Sequence, residues 1–334
     1  MIIIPNPSLL HSRRDHSISV RSEMEGRFTM HILKADADGK PIEASRREVA
    51  DFPNLILDQG LDRVAVATDY LNACQVGSGS AAPVNGNTGL QARIAGTTTA
   101  GGAGTVVTMQ PSSPFFSSVS RTYQFGVGVA AGNLSEVGIG WSTTGTTLFS
   151  RALIVNEGGT PITITVLSDE ILEVTYTIRC YPVEADTPQV VNISGTNYTF
   201  TRRPGSVTSS GIWALGGGTS SLASAPRFGV SGAWAYSGGL GAITALPSGT
   251  AAASNTVTRG TYVAGSQASA ATAVWPIASA NFGAGGIQGM YLDADAGSGG
   301  GAGAYQYGIS PAIPKTGTQT LTIFATHSWG RRAI

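Results

Sequence analysis

The chain has 334 residues with 20 Lys+Arg against 20 Asp+Glu, so its formal net charge is zero, and no global field exists to attract nucleic acid or anionic lipid. Hydrophobic residues make up 42% of it, more than a disordered chain carries, while 45 glycines favour turns and short strands over long helices. The length allows two domains of ordinary size, each with its own core.

The opening MIIIPNPSLL has no basic segment before its apolar run, and Pro5 and Pro7 interrupt that run, so it does not read as a secretory leader. No apolar stretch of about 18 residues follows, which gives the expectation of a soluble, cytoplasmically made product with no membrane insertion. Residues 1–24 read as an extended arm. Apolar Ile2, Ile3, Ile4, Leu9 and Leu10 stand next to Arg13 and Arg14, ahead of a polar stretch with no sustained period. Such an arm suits strand exchange with a neighbouring subunit, and these seven residues are candidate interaction residues.

Residues 25–183 read as a β domain. RFTMHILKADADGKPIEASRREVADF is a hairpin with Phe28, Met30 and Ile32 on one face, a turn around Gly39, and a return through Arg47 and Val49. Asp36 and Asp38 faintly resemble a calcium loop, but the later carboxylates of an EF-hand do not follow. One helix is expected, from Asp58 to about Tyr70, with Leu61, Val64 and Ala65 at helical spacing and Asp58 as its N-cap. The GSGS at residues 77–80 lacks the Lys-Ser/Thr of a phosphate loop and has no dinucleotide spacing, so a nucleotide site is set aside. Cys74 and Cys180 lie far apart without a CxxC, which points to two buried core thiols rather than a disulfide or zinc framework.

Leu148 to Pro182, LFSRALIVNEGGTPITITVLSDEILEVTYTIRCYP, is the most sharply patterned stretch. Leu148, Phe149, Ala152 and Ile154 begin one strand, Ile162, Ile164 and Val166 alternate in the next, and Ile171, Val174, Tyr176 and Ile178 supply a third. The expectation is a single meander closing a sandwich core.

VEADTPQ, residues 183–189, marks a composition shift, and 184–189 read as a linker. Residues 190–334 form a second unit rich in Gly, Ala, Ser and Thr. From Gly205 to Gly330 the only charges are Arg227, Arg259, Asp293, Asp295 and Lys315. Recurrent aromatics argue for a folded domain there, with Trp213, Trp234 and Trp275 as candidate contact anchors. TQTLTIFATHSWGRR alternates through Leu321, Ile323 and Ala325 as a final strand. The fold class is thus mainly β: two antiparallel sandwich-like domains, one short helix and an arm.

Catalytic patterns are sparse. His11, His16, His31 and His327 are scattered, no GxSxG elbow appears, and the histidines read as solvated or on a sheet surface. Of the paired carboxylates, Asp169/Glu170 would face opposite ways on a strand and Asp293/Asp295 the same way, but the latter sit in a glycine-rich segment. Three N-x-S/T sequons, at Asn133, Asn192 and Asn197, read as turn asparagines. No enzyme activity, cofactor or metal is expected.

Three segments in order, CQVGSGSAAPVNGNTGLQARI, SRTYQFGVGVAAGNLSEVGIGW and LFSRALI…ITVLSDEILEVTY, together with the terminal HSWGRR, resemble the N-terminal module of tail and tail-fibre structural proteins of tailed bacteriophages. The resemblance covers roughly residues 50–182 and carries over no site residue. It implies a virion component at the tail tip, baseplate or fibre, repeated as symmetric copies, with a trimer favoured, and in contact with other tail proteins. The charge-poor second half suits a surface packed against copies of itself. A capsid or neck decoration protein, and an adhesin whose aromatic second half meets a host receptor, are the alternatives.

Overall fold

The computed structural model describes residues 17–208, 228–295 and 303–333. They form a mainly β structure with one α-helix, and among them no helix is long and apolar enough to cross a membrane. The largest sheet has eight strands. Its order runs Thr256–Arg259, Ala268–Trp275, Leu321–Arg331, Ser17–Ala35, Glu170–Pro182, Ser117–Phe125 and Ala100–Met109, with Pro41–Pro53 also paired to Ser17–Ala35.

The 19-residue strand Ser17–Ala35 organises both halves of the molecule. It pairs antiparallel with Glu170–Pro182 from Ser22 to Lys34, forms the expected hairpin with Pro41–Pro53, and runs parallel to the last strand from Ser17↔Phe324 to Met24↔Arg331. Residues 17–24 are therefore not part of an arm. Ile18, Val20, Ser22, Met24, Phe28, Met30 and Ile32 are all buried, an alternation that continues the hairpin face backwards to the start of the strand. Ser22 and Gly26 hide this period in the sequence. Both positions face inward: Ser22 meets polar partners, and a Cβ at Gly26 would overlap the Tyr176 hydroxyl.

A five-stranded sheet, Leu55–Ile56, Leu148–Leu153, Glu136–Gly140, Ala73–Gly77 and Arg93–Thr97, supplies the opposite layer of the first core. Between them, Phe28 packs on Phe52 and Tyr176 at centroid distances of 5.7 and 4.9 Å, and Phe149 on Tyr70 at 5.1 Å. Cys74 and Cys180 are buried free thiols in this core, as expected, and burial pushes the Cys180 thiol up to about 12.

The helix spans Asp58–Val66, shorter than expected, and Leu57 rather than Asp58 occupies its N-cap, with no side-chain cap. Asp58 instead receives Arg331 Nη2 at 2.6 Å from the far end of the chain. The helix buries Gly60, Leu61 and Val64, and a Cβ at Gly60 would overlap the carbonyl of Phe149.

The patterned stretch Leu148–Pro182 is not one meander. Leu148–Leu153 belongs to the five-stranded sheet, Ile164–Val166 pairs with Gly132–Leu134, and Glu170–Pro182 is central in the eight-stranded sheet. Alternation fixes which side chains of each strand face inward; partner choice comes from contacts remote in sequence.

A six-stranded sheet, Thr187–Ile193, Thr196–Pro204, Ala304–Ile313, Ile287–Asp295, Phe228–Tyr236 and Ala251–Ala253, carries the second core. The expected linker thus runs directly into a hairpin strand at Thr187. Among the described residues two large cores and a small third cluster, Tyr236, Tyr291 and Ala304, are present, and each large core borrows from the other half: Phe228 and Trp329 join the first, and Ile18 and Val20 the second. The last strand alternates as expected, burying Leu321, Ile323, Ala325, His327 and Trp329.

Candidate functional site

The most developed polar centre is a buried ion pair. Glu136 and Arg151 are 0% and 2% exposed, and Arg151 donates to Glu136 Oε2 through Nε at 3.0 Å and Nη2 at 2.9 Å. They stand diagonally on adjacent antiparallel strands, with Gly138 directly opposite Arg151 and Leu153 directly opposite Glu136. A buried ion pair is tolerated only when its remaining donors and acceptors are satisfied. Here they are: the backbone N–H groups of Gly79 (3.0 Å), Gln91 (3.0 Å) and Ala92 (2.7 Å) donate to the carboxylate. Arg151 also donates to Asn87 Oδ1 and to the carbonyl of Ala81, each at 2.8 Å.

This gives the Gly-Ser loop a role. It cradles an anion with backbone N–H groups, as phosphate loops do, but the anion is a carboxylate of the same chain. Its glycines allow the close approach: a Cβ at Gly77 would sit 2.7 Å from Glu136 Oε1, and one at Gly79 would overlap that oxygen. Three segments distant in sequence meet here: the loop at residues 79–92, the strand that carries Glu136 and the strand that carries Arg151. Neither Glu136 nor Arg151 belongs to a motif that marks it out in the sequence. The signal was present as one charge inside each of two otherwise uncharged strands, EVGIG and LFSRAL.

A second polar cluster lies where the two cores meet. Ser22 Oγ is 3.0 Å from His327 Nε2 and 3.1 Å from the Tyr305 hydroxyl, and all three residues are fully buried. His327 Nδ1 lies 3.3 Å from the carbonyl of Gly229, which can only accept, so Nδ1 carries the proton and Nε2 accepts from Ser22. Phe228 stacks on the imidazole at 5.4 Å. His327 is therefore a core residue, not the solvated or surface histidine expected, and burial lowers its pKa to about 4. The pair resembles a nucleophile and base, but the hydroxyl is sealed from solvent and the second imidazole nitrogen faces a carbonyl rather than a carboxylate.

Nearby, the strand start is tied to the six-stranded sheet. The Gln189 amide accepts from Ser19 N at 2.9 Å, and the Ser19 carbonyl accepts from Tyr307 Oη at 3.0 Å and Arg202 Nη1 at 3.2 Å.

Among the remaining candidates, Ile2, Ile3, Ile4, Leu9, Leu10, Arg13, Arg14 and Trp213 lie outside the described residues. Trp275 is fully buried in the second core and donates its indole N–H to the carbonyl of Ala252 at 3.0 Å, so it is a packing residue rather than a contact anchor. Trp234 is half-buried against Tyr291 at 5.0 Å. Glu170 accepts from Arg47 at 3.0 Å and from the N–H of Leu167 at 2.9 Å, which lower its pKa against the opposing effect of burial. Asp36 Oδ1 accepts the N–H groups of Asp38 and Lys40 in the hairpin turn. Among the described residues no cluster of three or more His, Cys, Asp or Glu could hold a metal. Lys315 is 3% exposed and donates to the carbonyls of Pro276 and Ser279 and to Asn281 Oδ1, which removes one of the few charges of the second half from its surface.

Comparison with protein-family models, with curated proteins and with solved structures finds no match to this chain.

Proposed function

We propose that the protein is a non-enzymatic structural component of a tailed-phage virion, placed at the tail tip, baseplate or fibre and assembled as symmetric copies, most simply a trimer. The observation that carries this reading is the convergence of the three phage-like segments on the Glu136–Arg151 pair. What those segments share in space is a device for fixing loops, and that is the need of a scaffold. The charge-poor second half, poorer still at its surface because Lys315 is buried, supports contact with other copies or other tail proteins. Contact with a host receptor would be a further role of the same exposed surface.

The test is immunogold labelling of purified phage particles with an antibody raised against the chain. Gold confined to the tail tip is the expected result. Gold over the head would replace the reading with a decoration protein, and unlabelled intact particles would overturn the virion assignment.

A further inference from the structure

The loop that caps Glu136 carries the one Asn-Gly step of the chain, Asn85-Gly86, and both residues are exposed. They are the central pair of a turn closed by the Asn87 N–H, which donates to the Val84 carbonyl at 2.9 Å. A glycine in such a turn usually serves a left-handed backbone, yet neither Asn85 nor Gly86 has a positive φ. Packing does not require it either, since a Cβ at Gly86 would meet nothing within 4 Å. Among the described residues neither the Asn85 carboxamide nor the Gly86 N–H has a hydrogen-bond partner. What the missing side chain does here is chemical: it leaves the Gly86 nitrogen open to the side chain of Asn85.

We propose that Asn85 is a site of self-modification, converting through a succinimide with Gly86 to aspartate and isoaspartate, and that the isoaspartate loosens the loop on the Glu136–Arg151 pair. The Gly86 nitrogen attacks Asn85 Cγ. A C–N bond forms, the bond from Cγ to Nδ2 breaks, and Nδ2 leaves as ammonia with the proton that Gly86 gives up. Water then opens the cyclic imide, and no oxidant, metal or second protein is consumed. Opening at Cγ gives aspartate; opening at the Asn85 backbone carbonyl routes the main chain through Cγ and gives isoaspartate. The rotation of Asn85 that the attack needs breaks the turn's own hydrogen bond and the one from Asp58 N–H to the Asn85 carbonyl, 2.9 Å long. Asp58, Val84 and Asn85 are all exposed, so this opening is local.

Isoaspartate adds one carbon to the main chain between Val84 and Asn87. That spacing is what positions Asn87, whose Oδ1 accepts from Val84 N–H at 2.9 Å and from Arg151 Nη1 at 2.8 Å. Lengthening the turn therefore draws an acceptor away from a buried guanidinium.

The experiment keeps the full chain folded in mildly alkaline buffer, digests it with trypsin, and follows the peptide Val64–Arg93 by chromatography and mass spectrometry. The expected result is a time-dependent replacement of amide by acid at Asn85, in two separable isomers, with Asn72 and Asn87 of the same peptide unchanged. Labelling by an isoaspartyl methyltransferase identifies the isomer with the rerouted chain. Gly86→Ala, which the open space around Gly86 accommodates, should keep most of its amide over the same period; conversion equal to the parent's would overturn the succinimide route. Conversion in the urea-unfolded parent but not in the folded one would overturn Asn85 as a site of the native protein, and that comparison needs no variant. Asn85→Asp tests the loosening, because it carries the new charge without the added carbon. It should melt with the parent, while chain purified in the isoaspartyl form should melt lower. Equal melts of these two forms would overturn the effect on the loop.

Discussion

Glu136 and Arg151 are locked side by side in the five-stranded sheet, with the carboxylate also capped by three backbone N–H groups from the loop at residues 79–92. The pair connects two strands and one long loop at a point without solvent. Its value lies in specificity as much as in stability, because any other course of the loop leaves a buried charge incompletely partnered.

Removing one partner is therefore expected to cost more than removing both. Arg151→Met should lower unfolding free energy by about 3–5 kcal/mol, since it strands a carboxylate in the interior. The double variant Glu136→Leu/Arg151→Met should recover a substantial part of that loss. Urea denaturation of the single and double variants checks this, and equal losses would show that the pair is not acting as a unit.

Gly79→Ala is expected to destabilise by about 1–3 kcal/mol, the usual range for forcing atoms into a filled site. The added methyl would overlap Glu136 Oε1, so the loop must retreat and its N–H groups must lengthen their bonds. Gly86→Ala, where nothing lies within 4 Å, is the control and should melt with the parent.

The buried imidazole sets a pH dependence. His327 has a folded pKa of about 4, below its usual value of 6.5, so between these values the unfolded chain binds the extra proton. Its stabilising contribution is complete above pH ~6.5 and is lost as pH falls through the window to ~4, at up to about 1.4 kcal/mol per pH unit. His327→Gln removes that component. Thermal melts of parent and variant between pH 7 and 5 should converge as the pH falls.

Truncation separates arm from strand. A chain beginning at Ser17 is expected to keep a cooperative melt, whereas one beginning at Glu25 loses Ile18, Val20, Ser22 and Met24 from the two cores and should be recovered only as aggregate. Soluble, cooperatively melting protein from the shorter chain would contradict the organising role given to residues 17–24.

Thiol accessibility gives an independent measure of the first core. Cys74 and Cys180 are both buried with thiols raised by burial, so a thiol reagent should modify neither in the native protein and both after unfolding.

What the sequence determined by itself was the local pattern. Glycine frequency and period-2 alternation sufficed for a mainly β chain, for the inward face Phe28, Met30 and Ile32, for Leu321, Ile323 and Ala325 in the last strand, and for two buried cysteines, because each depends only on residue type and on neighbours two positions away. Tertiary structure alone decided the pairing. Nothing near residue 17 announces a parallel partner at residue 324, and Ser22 and Gly26 conceal the alternation because their inward positions are filled by His327, Tyr305 and the Tyr176 hydroxyl. The same holds for Leu148–Pro182, whose three strands enter three different sheets, and for the glycines of the Gly-Ser loop, whose reason is a carboxylate 57 positions beyond Gly79. A strand's sequence states which face is apolar. The edge it pairs with, and the charge it must accommodate, are set by whichever remote segment satisfies its backbone and its buried polar atoms.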